Sequence, residues 1–134
     1  MTPRNSPSIL IIEDDDQLQG LYQDLFTQVG YVVTLADSAQ SGLQSARDTH
    51  PDFIILDIML PGGQNGFDVL EQLKRDPQLK SIPVLVITNL DHQRDIALTI
   101  GAVDCLVKTD ITPTDIMAKI KSYLPISSPT PSSG

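Results

Sequence analysis

The sequence predicts an α/β domain, one parallel sheet of five strands with helices on both faces. Two observations carry this. Short apolar runs alternate with amphipathic stretches from residue 8 to residue 124, the pattern of repeated strand–helix units. Four of the runs also stop abruptly at a polar residue. Ile9-Leu10-Ile11-Ile12 ends at Glu13-Asp14, Phe53-Ile54-Ile55-Leu56 at Asp57, Val84-Leu85-Val86-Ile87 at Thr88, and Cys105-Leu106-Val107 at Lys108. Parallel strands covered on both faces read as such runs, and open α/β sheets bind ligands just beyond the carboxyl ends of their strands.

Residues 8–13 read as the first strand. Leu18, Leu21, Tyr22, Leu25, Phe26 and Val29 then recur at helical spacing. Asp15 and Asp16 suit the positive end of that helix's dipole, Asp14 or Asp15 can cap it, and Gly30 stops it. Residues 31–35 form a shorter second strand. Asp37 or Ser38 caps a weaker helix carrying Leu43 and Ala46, and Pro51 ends it before the third strand. Pro61-Gly62-Gly63-Gln64-Asn65-Gly66 is a loop by composition. A helix bearing Phe67, Leu70 and Leu73 runs to Asp76-Pro77, and Pro83 stands at the start of the fourth strand. Residues 91–100 make a short helix stopped by Gly101, and 103–107 the fifth strand. Thr112 and Pro113 take the cap and first position of the last helix, whose inner face is Ile116, Met117, Ile120 and Leu124. The expected division is a flexible N-terminus at 1–7, one domain at 8–124, and a Pro/Ser-rich tail or linker at 125–134. Right-handed crossovers restrict the topology. The order 2-1-3-4-5 sets strands 1 and 3 side by side, so that Glu13, Asp14 and Asp57 become neighbours.

With 134 residues and 40% apolar content the chain holds enough material for one ordinary core. No apolar run approaches the ~20 residues of a membrane helix, and residues 1–8 carry no signal-peptide h-region. A single cysteine, Cys105, excludes an intrachain disulfide and fits a reducing, cytoplasmic setting. The net charge of -8 argues against direct binding to nucleic acid or anionic membranes.

Two carboxylates about 4 Å apart repel by ~4 kcal/mol at an effective dielectric of ~20. A fold does not gather three for stability, so a cation sits among them or one takes up a proton. Magnesium fits an all-oxygen donor set best. Asp57 can attack phosphorus to give an aspartyl phosphate, with Lys108 and the Thr88 hydroxyl holding the charge that spreads over the phosphoryl oxygens. No histidine is needed, and His50 and His92 read as surface residues. Taken singly, each of these residues has an ordinary explanation: cap, turn residue, β-favoured filler, snorkelling lysine. Their joint placement at four strand ends does not.

The segments Ile9 to Asp15, Phe53 to Gly62, Pro83 to Thr88 and Gly101 to Lys108 resemble the receiver (REC) domain of two-component response regulators, over about residues 7–124. The resemblance implies a flavodoxin-like (βα)5 three-layer sandwich. It also implies phosphoryl transfer to Asp57 from a sensor histidine kinase or a phosphotransfer protein. Asp14, Asp57 and the backbone carbonyl of Met59 would ligate Mg2+ (or Mn2+), with Glu13 acting through water. Lys108 would pair with Asp57 and then with the phosphate, and Thr88 and position 105 would form the switch. The surface of helix 4, strand 5 and helix 5 would serve output and allow a phosphorylation-dependent homodimer. Such a domain is a switch, not an enzyme beyond its own phosphorylation and dephosphorylation.

The sequence departs from the family in several places. Cys105 replaces the usual Tyr or Phe of strand 5, which leaves no ring to fill space vacated by Thr88. Thr109 follows Lys108 where proline is usual, and a cis bond there would cost ~2.5–4 kcal/mol, leaving trans or strained cis open. The loop after Asp57 is one residue longer than usual, and Asn89 narrows access for small phosphodonors. Met59 and Leu90, two residues beyond Asp57 and Thr88, are apolar and cannot orient water, so slow hydrolysis is expected. An aspartate-nucleophile phosphatase would need a second Asp where Met59 stands. A phosphorylation-independent pseudo-receiver module is favoured only by Cys105 and Thr109. A flavin or nucleotide site lacks GxxxxGK or GxGxxG.

Overall fold

The computed structural model describes residues 6–60, 65–89 and 93–125. Five parallel strands form one sheet in the order β2-β1-β3-β4-β5: β1 Ser8–Ile12, β2 Val32–Ala36, β3 Phe53–Asp57, β4 Val84–Thr88 and β5 Asp104–Val107. Helices α1 Asp16–Val29, α2 Ala39–Thr49, α3 Gly66–Arg75, α4 Arg94–Ile100 and α5 Pro113–Tyr123 alternate with them. The expected fold class and strand order are those observed.

Period-two alternation divides the buried strand residues between two cores. Ile9, Ile11, Phe53, Ile55, Leu85 and Ile87 face Tyr22 and Phe26 of α1 and Ile116, Met117 and Ile120 of α5. Leu10, Ile12, Ile54, Leu56, Val84, Val86 and Cys105 face α2, α3 and α4 through Leu43, Leu70, Leu73 and Ala97. Burying both faces is what makes the strands read as unbroken apolar runs.

Several boundaries differ from the sequence reading. β1 ends at Ile12, not Glu13, although the Glu13 N–H still donates to the Ala36 carbonyl at 2.9 Å. β2 lies one residue later than expected, because Tyr31 turns into the α1–α5 core and donates its hydroxyl to Leu124 O at 2.7 Å. β5 begins one residue late, at Asp104, and α4 begins at Arg94. Asp15, not Asp14, caps α1, accepting from the N–H groups of Gln17 and Leu18. Ser38, not Asp37, caps α2 and forms a reciprocal box with Ser41. Leu21 is 48% exposed, so its helical spacing places it at the margin of the buried stripe. Thr112 and Pro113 cap and open α5 as read, with Asp115 completing the box. The Lys108–Thr109 bond is trans, and Lys108–Asp110 form a turn of 3-10 helix.

Most of the flexible N-terminus expected at 1–7, the tail beyond Pro125, loop residues 61–64, Leu90 and His92 lie outside the described residues.

Candidate functional site

Parallel β1 and β3 are direct neighbours, with Ile12 opposite Leu56. Their carboxyl ends therefore deliver Glu13, Asp14 and Asp57 to one place. One carboxylate oxygen from each lies within 4.8 Å of the others. Oxygens this near one another could share one octahedral cation through direct and water-mediated contacts. An all-oxygen set, two of its members buried, fits a hard cation. The three carboxylates expected to be neighbours thus meet.

Lys108 arrives from the end of β5. Its ammonium stands 2.9 Å from Asp57 Oδ2 and 3.4 Å from Glu13 Oε1. Asp57 is 2% exposed, and its other oxygen, Oδ1, accepts the Met59 N–H at 2.9 Å. Glu13 Oε2 accepts the Asp15 N–H at 3.1 Å. Burial, then the charge of Asp57 and a hydrogen bond with it, push the Glu13 carboxyl up to about 7, against the opposing pull of Lys108 and the Asp15 N–H. Burial works against the Lys108 ammonium. The hydrogen bond and charge of Asp57, and then Glu13, outweigh it and hold Lys108 above the ordinary lysine range. Tyr22, beneath the site, is pushed up to about 12 by burial and then by Glu13.

Thr88 is fully buried at the end of β4, beside β3, where Ile87 pairs with Asp57. Its hydroxyl donates to Gln93 Oε1 at 2.5 Å. Met59 is 54% exposed at the rim and pairs with Asn65 in a single antiparallel bridge. Cys105 is not at the site. It is completely buried in the α2–α3–α4 core, and burial pushes its thiol up. His50 is exposed at the C-cap of α2 with φ 47°.

Other residues that shape the site escaped the sequence reading. Gln19 donates its side-chain amide to Glu13 O at 2.5 Å and to Ala36 O at 3.2 Å, tying α1 to the loop that carries the acids. Its sequence signal was an amide on the inner face of α1, one residue after Leu18. Gly66 read as loop glycine, yet it opens α3 against the back of the site. A Cβ there would lie 2.5 Å from Ile58 Cα and 2.8 Å from Asp57 O. Asp104 binds Lys119 at 2.9 Å and Arg94 at 3.2 Å. Nothing in the local sequence pairs those three.

The model of the response regulator receiver domain matches residues 9–121. The chain is 38% identical over 104 residues to the transcriptional regulatory protein AfsQ1 of Streptomyces coelicolor, which covers 76% of this chain and 44% of that protein. It is 33% identical over 121 residues to the polar-differentiation response regulator DivK of Brucella ovis, covering 87% and 95%. A putative response regulator from Chloroflexus aurantiacus superposes with a TM-score of 0.81 at 27% identity, covering 89% and 98%. The chain belongs to the receiver-domain family of two-component response regulators. Receiver domains are signalling switches that take phosphoryl groups from histidine kinases and bind Mg2+ at an acidic pocket. The chain spans about half the length of its transcriptional-regulator relatives and nearly all of DivK. Among the described residues no helix is long and apolar enough to cross a membrane.

Proposed function

We propose that this chain is a phosphoacceptor switch whose receiver unit spans 8–124 and whose acceptor is Asp57. The observation that carries the reading is the meeting of Glu13, Asp14 and Asp57 with the Lys108 ammonium at the carboxyl edge of the sheet. A carboxylate oxygen of Asp57 forms a bond to phosphorus. The phosphorus–nitrogen bond of a phosphohistidine donor, on a sensor histidine kinase or a phosphotransfer protein, breaks, and its electron pair leaves with the imidazole nitrogen. Hydrolysis returns the carboxylate and inorganic phosphate.

Asp14, Asp57 and the Met59 carbonyl would hold Mg2+ (or Mn2+), and Glu13 would reach it through water. When bound, the ion neutralises charge on the phosphoryl oxygens. Lys108 holds a second oxygen and keeps Asp57 aimed, while the Met59 N–H fixes the rotation of the Asp57 carboxylate. Thr88 supplies a hydroxyl to a third. This is catalysis by positioning and fixed charge, carried out in the cytoplasm. Output runs through the face formed by α4, β5 and α5, including a homodimer that forms on phosphorylation.

Beryllofluoride with magnesium, added to the native chain and to Asp57→Asn, tests the reading by amide spectra. Shifts around residues 13, 57, 88 and 108 in the native chain alone are expected. Identical spectra with and without the reagent would refute it.

A further inference from the structure

We infer that Gln93 is a positioning residue for the phosphorylated state, and that Gln93 and Arg94 form a polar relay linking Thr88 to β5 and α5. The inference rests on Asp57 being the acceptor and Thr88 the hydroxyl that meets the phosphoryl group.

A threonine hydroxyl has one proton to donate. Here it goes to Gln93 Oε1. A Thr88 hydroxyl that donates to a phosphoryl oxygen must leave Gln93, so the two bonds are alternatives. Gln93 therefore competes directly with the phosphoryl group for Thr88.

Gln93 is also the N-cap of α4, although its side chain caps no backbone N–H of that helix. Its amide is used on Thr88 instead. The next residue, Arg94, opens α4 and reaches across to β5. One guanidinium nitrogen donates to Cys105 O at 2.7 Å, and the other lies 3.2 Å from Asp104 Oδ1. Asp104 Oδ2 is 2.9 Å from Lys119 of α5, and Oδ1 accepts the Cys105 N–H at 2.8 Å. Short polar contacts from Thr88 to Gln93 and from Arg94 to β5 and α5 are thus joined by the peptide link between Gln93 and Arg94. Cys105, the position of the missing ring, contributes its backbone to this path, while its thiol stays sealed in the core. Losing the Thr88 bond frees the first residue of the path, and the start of α4 then shifts against β5 and α5.

The test is a beryllofluoride titration in magnesium, read by amide spectra, on the native chain, Gln93→Leu and Gln93→Glu. Leucine removes the competing acceptor. The apparent affinity should rise about fivefold, the worth of one neutral hydrogen bond. Saturating shifts at Asp104, Cys105 and Lys119 should fall below half of native, because the path is cut. Glutamate keeps the path and strengthens the competitor. Affinity should drop about tenfold, with the distal shifts retained. Native affinity and native distal shifts in both variants would overturn the relay while leaving Asp57 as acceptor. If the native chain responds no more than Asp57→Asn, the acceptor reading fails first and the relay falls with it.

Discussion

Replacing Lys108 with methionine tests the electrostatics of the site without any phosphodonor. The ammonium stands 2.9 Å from Asp57 and 3.4 Å from Glu13. At an effective dielectric of ~20 each attraction has a gross value of about 5–6 kcal/mol. Desolvation of the ammonium offsets part of that. Removing one partner of a buried pair costs about 3–5 kcal/mol, because the other charge stays buried and unpaired. Lys108 is half-buried, which places it at the lower end, about 3 kcal/mol. In magnesium-free buffer at pH 7.5, Lys108→Met should lower the urea midpoint by roughly 1.5 M, taking a slope of about 2 kcal/mol/M. Millimolar magnesium should restore more than half of the loss, since a cation again stands between the carboxylates, and potassium at equal ionic strength should not. The reasoning fails if the variant unfolds at the native urea concentration, or if the two salts act alike.

Three further outcomes follow from other residues. Gly66→Ala drives a Cβ into the Ile58 and Asp57 backbone. It should cost about 3 kcal/mol or more, and chemical denaturation should show it together with weakened magnesium binding. Burial would raise the Asp104 carboxyl, but the Lys119 hydrogen bond, the Cys105 N–H and the charges of Lys119 and Arg94 hold it below the ordinary aspartate range. A depressed carboxylate contributes stability above its unfolded pKa and loses it as pH falls through the folded one. Asp104→Asn should therefore be less stable than native at pH 7, and the gap should close below about pH 4 in acid-unfolding curves. Met59 stands exposed at the site rim and cannot orient water. Phosphorylated native chain should decay slowly, and Met59→Asn severalfold faster, in a phosphate-release time course; loss of native label within seconds would contradict this.

The strands were legible because they are buried on both faces, so Phe53 to Leu56 and Val84 to Ile87 carry their signal in composition alone. The acids and Lys108 were legible because strand ends in a parallel sheet share an edge, which turns sequence position into spatial position. Thr112-Pro113 was read correctly because capping is local chemistry. The choice between Asp37 and Ser38 stayed open in the sequence, since both offer an oxygen and only backbone geometry separates them; Ser38 is the cap. Tyr31 shifted β2 by one residue because its partner, the Leu124 carbonyl, is 93 positions away. Arg94, Asp104 and Lys119 come from three elements, and charged residues at such separations carry no periodicity to read. Gly66 looked like turn chemistry because the backbone behind it is invisible until the loop closes.

The cluster at β5 has a consequence for how these molecules behave when crowded. β5 is a border strand, and such strands offer unpaired carbonyls and N–H groups as a template for foreign chains. With the Arg94 guanidinium seated on the Cys105 carbonyl and Lys119 beside Asp104, an incoming strand must first evict fixed charge. That margin of the sheet is guarded against runaway stacking by the same residues that tie its neighbouring helices together.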